Sequence, residues 1–259
     1  WSDGVAGGDA TAWPLHGSQA LAAQLMGLIP PTLSLGIPLV WALANLDQLG
    51  SSLRDDLLPL SLRSLLLGLS AALLALAAAL LLAIAKRWSS AVWLRSLTFL
   101  AGIGYAIPGT VLALALLLTG APWQLAPLLL LLWGYSDRFL AVAKGGLDAA
   151  LERISPNLDE AATGLGFNWQ QVLRRVHLPL LRGPMTVGLL LVFVDTVKEL
   201  PLTFALRPFD FDTLSVRVYQ YASDERLAAA LLPALMILSL GLVAAMALVP
   251  SLDQASSKG

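Results

Sequence analysis

The sequence predicts an all-α, polytopic transmembrane helical bundle with six spans. Of its 259 residues, 57% are hydrophobic and 13% are charged, and the mean hydropathy is +0.75. Soluble domains carry about 25% charged residues, so this composition is typical of a chain that lies in a lipid bilayer. The other observation is a series of long charge-free stretches, because a helix needs about 20 apolar residues to cross the hydrocarbon core.

Five spans follow directly from these stretches. Tyr105, Pro108 and Gly109 predict a break or kink inside the third span, which a membrane tolerates only against protein or a water-filled cavity. A packing kink and a role in lining a path both remain open for this segment. The Gly and Pro residues of 119–124 predict the turn that follows it. The five spans are predicted at 21–45, 61–85, 94–119, 122–143 and 227–250.

A sixth span begins after Gly183, and its charge-free part ends at Val194. To cross the membrane it must carry Asp195, Lys198 and Glu199, which a helix places on one face, where Lys198 can neutralise a carboxylate. Two interpretations of these three charged residues remain open: they form a structural ion pair at a helix end, or they lie beside a translocation path. If Lys198 pairs with Glu199, removing Lys198 alone should harm transport more than removing both.

The placement of lysine and arginine predicts the orientation. With the polar connection 144–183 in the cytoplasm, ten of the 16 basic residues lie on the inner side and five on the outer side. Six spans then place both termini inside, with a tail at 251–259. Because the chain starts at Trp1 rather than Met, we expect residues 1–20 to be a connector from a missing N-terminal half, followed by the first span, outside the core of 61–250.

Composition also excludes several classes of function. The formal net charge of −1 gives no reason to expect a nucleic-acid partner. The chain has no cysteine and only two histidines, His16 and His177, so we expect no metal site and no cofactor bound by this chain. Walker A, GxSxG and HExxH patterns are absent from the sequence. We therefore expect no catalytic residues and a transport subunit rather than an enzyme.

The polar connection contains signals for two short helices at the membrane surface. Pro156 starts the first helix, and Gly164 and Gly166 predict its end. Asn168 is a suitable cap for the second helix, which Pro179 is expected to end before the next span. An interfacial helix in the headgroup region is one interpretation of such a segment.

The residues of this connection also match a longer pattern at fixed spacing. They resemble the EAA loop of ABC-transporter permeases, which is E-A-A, three residues, G, nine residues, an aliphatic residue, one residue, and L-P. The resemblance implies a type I ABC importer (MetI-like) core at 61–250. It also implies a coupling loop at about 144–183, called the EAA loop below, that docks on an ABC ATPase subunit dimer carrying ATP and Mg. The matching places are filled by Glu160, Ala161, Ala162, Gly166, Val176, Leu178 and Pro179.

The text of Phe193–Ala234 and Gly104–Leu118 is similar to the C-terminal half of bacterial ferric-iron permeases, in which two homologous six-helix halves are fused. This resemblance covers about residues 20–250. It implies multi-pass insertion in the bacterial inner membrane, Fe³⁺ import, a second permease half and a periplasmic iron-binding protein. Contacts with that binding protein are expected at Asp210, Asp212, Arg217 and Tyr219. A transient iron-ligand role for oxygen donors of this loop is the less favoured alternative.

Three alternatives remain open from the sequence. The same architecture imports thiamine, polyamines, phosphonates or sulfate in related permeases. An ion-coupled secondary transporter, with Asp195, Lys198 and Glu199 as a proton or sodium relay, would also explain the charges of the sixth span. A structural subunit without transport activity is the third. ATP dependence of uptake separates the first two.

Overall fold

The computed structural model describes residues 15–45, 47, 57–89 and 91–256. Helices are the regular structure throughout this part of the chain, which contains no strand, so the all-α prediction is confirmed. The chain divides into two compact units, residues 1–47 and 48–259. Most of the predicted connector at 1–20 and the last residues of the predicted tail lie outside the described residues.

In the described part of the first unit, the helix α1 (Ser18–Ala44) lies where the first span is predicted. Pro30, Pro31 and Pro38 lie inside it, yet the helix continues to its end. Each proline leaves the carbonyl four residues earlier without its helical N–H donor. Separately, the Ser34 hydroxyl donates to the carbonyl of Pro30 at 2.8 Å. The three prolines therefore do not divide this apolar helix.

The second unit is a bundle of ten helices among the residues described. A π-helical segment, Leu173–His177, joins α7 to α8, and short 3₁₀ turns follow α3 and α4. The helices are α2 (Leu57–Trp88), α3 (Val92–Ile103), α4 (Gly109–Gly120), α5 (Pro127–Glu152), α6 (Pro156–Gly164), α7 (Trp169–Val172), α8 (Leu178–Lys198), α9 (Pro201–Leu206), α10 (Leu214–Ser223) and α11 (Leu227–Ser256).

Within the described residues, four helices are long and apolar enough to cross a membrane, or five if α3 and α4 form one broken span with a bend of 118°. The prediction of six spans stays a prediction, because α5, which carries Asp137 and Arg138 within the predicted span 122–143, is not among these helices. The four helices are Ser18–Ala44, Leu57–Trp88, Trp169–Lys198 and Leu227–Ala247.

The centre of the bundle is formed by α2, α5 and α8, which pack against one another. Small residues permit the close approach: Ala71 and Ala75 of α2 are fully buried, and a Cβ on Gly68 would lie 3.0 Å from Val197. On the facing helices, Gly188 packs on Ala143. Because lipid is as apolar as leucine, such tight van der Waals packing stabilises helix pairs in a membrane.

Helix α2 connects the two ends of the bundle. Near its start, Arg63 donates to the carbonyl of Asp210 at 2.9 Å, and Ser64 accepts from the amide of Leu214 at 2.9 Å. Near its end, Arg87 contacts Asp159 in the EAA loop. At a rise of about 1.5 Å per residue, about 36 Å of helix separates the two arginines. The EAA loop and the segment 207–226 therefore lie at opposite ends.

Candidate functional site

The first helix of the EAA loop, α6, has defined signals at both ends. Its start is capped by Ser155, whose hydroxyl accepts from the amide of Asn157 at 3.3 Å. At its end, Gly166 adopts a φ of +84°, and the amide of Phe167 donates to the carbonyl of Ala162 at 3.1 Å. This is the left-handed termination that glycine favours. The predicted glycine bend is present.

The second helix of the loop begins with a capping box between Asn168 and Gln171, with bonds of 2.9 and 3.0 Å. The prediction that Pro179 ends this helix is wrong. The chain stays helical from α7 through Leu173–His177 into α8, and Pro179 lies in the first turn of α8. A π-helical turn changes the backbone pairing just before the proline, where its missing donor and its ring are tolerated.

A buried polar cluster fixes the EAA loop to the bundle. Nε of Arg87 lies 2.7 Å from Oδ2 of Asp159, and Nε2 of His177 lies 2.9 Å from Oδ1 of the same carboxylate. The Arg87 guanidinium also donates to the carbonyls of Leu151 at 2.9 Å and Ile154 at 3.1 Å. We call Arg87, Asp159 and His177 the Asp159 cluster. It joins the ends of α2 and α5 to α6 and to the start of α8.

Aromatic rings cover this cluster. The ring of Trp88 packs edge-on against His177 at 5.7 Å and against Trp169 at 6.2 Å. His177 is fully buried, whereas Trp169 is largely exposed. The end of α2 therefore contacts both short helices of the loop, α6 through Arg87 and α7 through Trp88. Sequence reasoning missed this cluster, although His177 lies inside the seven-place pattern.

The EAA-loop residues divide into an exposed and an inward group. Glu160 and Ala161 are exposed, Ala162 is buried, and Val176 and Leu178 are half-buried. The remaining two places, Gly166 and Pro179, are exposed. The structure thus places the E-A-A turn at the tip of the loop, whereas Val176, the aliphatic position of the pattern, faces the bundle.

The exposed tip combines one acid with large apolar side chains. The carboxylate of Glu160 makes no ion pair with any described residue. Around it, Leu158, Leu165 and Trp169 are 45%, 78% and 60% exposed. Clustered apolar side chains on a polar loop mark a surface that another protein covers.

The charges at the end of α8 pair differently from the prediction. Lys198 contacts Asp195, with Nζ 2.7 Å from Oδ1, and not Glu199. Glu199 instead faces Arg138 of α5, with 3.8 Å between Oε1 and Nε. The expected common face is lost because α8 ends at Lys198, and Glu199 turns into an extended conformation with ψ of 125°.

Glu199 acts as a buried cap. It is 7% exposed, and its Oε2 accepts from the amides of Leu202 at 3.0 Å and Thr203 at 3.4 Å. Its backbone carbonyl accepts from the hydroxyls of Thr203 at 2.7 Å and Ser215 at 3.0 Å. These bonds place the negative charge at the start of α9, where backbone amides stabilise it.

The same charges hold the break between α3 and α4. A Cβ on Gly109 would lie 2.8 Å from Oε1 of Glu199, and Arg138 donates to the carbonyl of Ile107. The predicted kink is present, since a 3₁₀ turn at 104–106 precedes α4. Tyr105 is half-exposed and packs near Phe139 rather than joining Glu199.

The predicted binding-protein contacts lie on the segment 207–226. Asp212 pairs with Arg207 and lies 3.6 Å from Nη2 of Arg217, whereas Asp210 contributes its backbone carbonyl to Arg63. Tyr219 is exposed and packs edge-on against Phe204. In the described residues, no group of three or more Asp, Glu, His or Cys side chains is arranged to hold a metal ion.

Comparison with known proteins identifies relatives of this chain. Residues 75–255 match the family described as "Binding-protein-dependent transport system inner membrane component". The chain is 29% identical over 216 residues to the Fe(3+)-transport system permease protein FbpB 2 of Haemophilus influenzae, which covers 79% of this chain and 42% of that relative. The chain therefore spans less than half the length of that relative.

A solved structure shares the fold. It is a chain from a crystal structure of a bacterial ABC transporter involved in the import of the acidic polysaccharide alginate. The TM-score is 0.62 at 15% sequence identity, and the match covers 92% of this chain and 95% of that chain. At this identity the likeness concerns the fold alone.

Proposed function

This chain belongs to the family of binding-protein-dependent transport system inner membrane components, and from that premise we propose that it is one half of an ATP-driven ferric-iron importer. Its role as a membrane-embedded permease of an ABC importer follows from the family. The Fe³⁺ cargo is supported by the similarity to a ferric-iron permease. The observation that carries the proposal is the EAA loop, held by the Asp159 cluster at one end of the bundle.

The exposed tip of the EAA loop is the proposed docking surface for an ABC ATPase subunit dimer. Leu158 and Leu165 would enter an apolar cleft of the ATPase, and the unpaired Glu160 would meet a basic group or a backbone donor there. ATP and Mg would bind to the ATPase and not to this chain. Movement of the ATPase would pass through the Asp159 cluster to α2 and α8 as a rigid-body displacement.

A second permease half completes the proposed path. The matching relative is more than twice as long as the region that this chain covers, which agrees with two fused halves. We place the assembly in the bacterial inner membrane as a multi-pass protein. A periplasmic iron-binding protein would deliver Fe³⁺ to the segment 207–226, and the permease would give a path rather than a lasting ligand cage.

The ion-coupled alternative loses support from the family and from the site. Glu199 caps α9 and faces Arg138, so its carboxylate serves the fold. Asp195 and Lys198 pair with each other on one helix, and Lys198 is mostly exposed. Cargo is the remaining open choice, among ferric iron, thiamine, polyamines, phosphonates and sulfate.

The deciding experiment is uptake of radioactive Fe³⁺ into vesicles that contain the whole transporter. We expect ATP-dependent uptake in the parent, loss of uptake in Glu160→Arg, and normal uptake in Asp47→Arg, an equal charge change on an exposed acid outside the EAA loop. Normal uptake in Glu160→Arg would refute the docking role. If the parent moves no iron while ATPase subunits still co-purify, the cargo is wrong and the permease role stands.

A further inference from the structure

A cavity of about 490 Å³ opens at the end of the bundle opposite the EAA loop. Its wall is built from the end of α9, from α10 and from the residues just before α11. Three arginines, Arg207, Arg217 and Arg226, line it together with the exposed rings of Phe204 and Tyr219. A concave site with several guanidinium groups has the composition of an anion site.

The charges of the wall do not cancel. Arg207 and Arg217 share one carboxylate, that of Asp212. Arg226 makes no ion pair with a described residue; it stacks on the ring of Tyr221 at 4.7 Å. Asp224 adds one negative charge to the lining. Since arginine keeps its charge at any physiological pH, the three arginines counted against Asp212 and Asp224 leave one positive charge in excess at the wall itself, and Asp210 and Glu225 are acids of the same segment outside the lining.

The guanidinium that stays open to the cavity is that of Arg226, which is exposed and lines the wall. Nε of Arg207 and Nε of Arg217 have no hydrogen-bond partner among the described residues, but both atoms are buried and do not face the open cavity. Both side chains are about three-quarters buried, with 22% and 24% exposed.

The backbone before α11 turns Arg226 towards this wall. Glu225 has a φ of +59°, in the left-handed region that side chains other than glycine rarely adopt. This conformation lets the amide of Arg226 donate to the carbonyl of Tyr221 at 2.8 Å. The reversal brings the guanidinium back over the Tyr221 ring. The unusual conformation thus places the unpaired arginine at the cavity.

We propose that this cavity binds a phosphate-class oxyanion. Three guanidinium groups from different segments suit a tetrahedral oxyanion, which accepts hydrogen bonds from several directions. The group can belong to free phosphate or to a phospholipid headgroup. The second source is available because α11, an apolar helix that can span the membrane, begins at Leu227. Exposed aromatic rings such as those of Phe204 and Tyr219 are typical of the membrane interface.

This site goes beyond the proposed function and does not depend on it. The guanidinium groups that line the cavity are hydrogen-bond donors and have no lone pair for a metal, so the cavity is not proposed as a station for Fe³⁺. It would instead fix the relative positions of α9, α10 and α11 when the anion is bound. If the transporter does not move iron, the cavity can still bind an anion. If the cavity binds no anion, iron transport can still be correct.

The first test is titration of the detergent-solubilised whole transporter with inorganic phosphate. We expect saturable binding in the parent and at least about tenfold weaker binding in Arg226→Gln, because a charge-assisted pair is lost. Arg226→Lys keeps the charge without the planar fork and should lie between the two. Arg182→Gln, the same change on an exposed arginine of α8 outside the cavity, should bind as the parent does.

The second test separates the two sources of the oxyanion. The same variants are placed in nanodiscs that contain phosphatidylglycerol, and lipid retained after detergent extraction is measured by native mass spectrometry. Loss of retained lipid in Arg226→Gln, without phosphate binding in the first test, supports the site with a headgroup as its ligand. If Arg226→Gln and Arg182→Gln behave alike towards both phosphate and lipid, the proposal is overturned.

Discussion

The two ends of α2 use arginine in opposite ways. At the EAA-loop end, Arg87 gives its donors to one carboxylate and to backbone carbonyls, and the exposed surface around it is apolar. At the other end, Arg207 and Arg217 share Asp212, and Arg226, which has no ion pair with a described residue, lines an open cavity. Under the proposals above, the cluster at the EAA loop transmits force and the cavity accepts a ligand. The following predictions test that difference, beginning with the largest effect.

Arg87→Met should be the most damaging change. It leaves the Asp159 carboxylate beside His177 without its guanidinium, and breaking a buried pair costs about 3 kcal/mol. We expect iron uptake to fall more than tenfold and the thermal unfolding midpoint to drop. Arg63→Met at the other end of α2 is the matched control, since Arg63 is bonded to a single carbonyl. Equal effects of the two changes would contradict the comparison.

The double variant Arg87→Met with Asp159→Asn should be milder than Arg87→Met alone. Removing both charges leaves no unpaired carboxylate in the cluster, so part of the lost stability returns. Thermal unfolding of the four proteins gives the coupling free energy, which we expect to be about 1–3 kcal/mol. A coupling near zero would show that Arg87 acts through the carbonyls of Leu151 and Ile154 alone.

Gly166→Ala should destabilise the EAA loop by about 1 kcal/mol, because alanine is strained at a φ of +84°. The strain is conformational, since no atom lies within 4 Å of a Cβ at this position. Gly164→Ala is the control, because that site is equally open and has helical geometry. We expect lower ATPase co-purification for Gly166→Ala only. A loss in both variants would indicate a contact surface rather than backbone strain.

Lys198→Gln should have the smallest effect, below about 1 kcal/mol, because the Lys198 side chain is 60% exposed and water screens its charge, even though Asp195 is only 19% exposed. Arg138→Gln should be worse, since Arg138 faces the buried Glu199 and donates to Ile107. Thermal unfolding and uptake measure both. If Lys198→Gln were more damaging than Arg138→Gln, the result would favour the predicted pairing of Lys198 with Glu199.

The sequence was informative wherever the signal is local. The capping and glycine signals predicted the two short helices α6 and α7, and Pro108 with Gly109 predicted the break before α4. The Asp159 cluster could not be predicted, because Arg87 lies 72 residues from Asp159 and meets it only through helix packing. The predicted pairing of Lys198 with Glu199 was wrong for a related reason. A common helix face requires a helix, and α8 ends at Lys198, one residue before Glu199.

The π-helical segment Leu173–His177 has a consequence for helix phase. Each residue of an α-helix advances the side-chain direction by about 100°, so one extra residue in a turn resets the azimuth of everything that follows. The exposed side of α7 and the packing side of α8 are thereby set independently on one continuous helix. Deleting a single residue from this segment would keep the helix and rotate one of these faces about 100° out of alignment with the other.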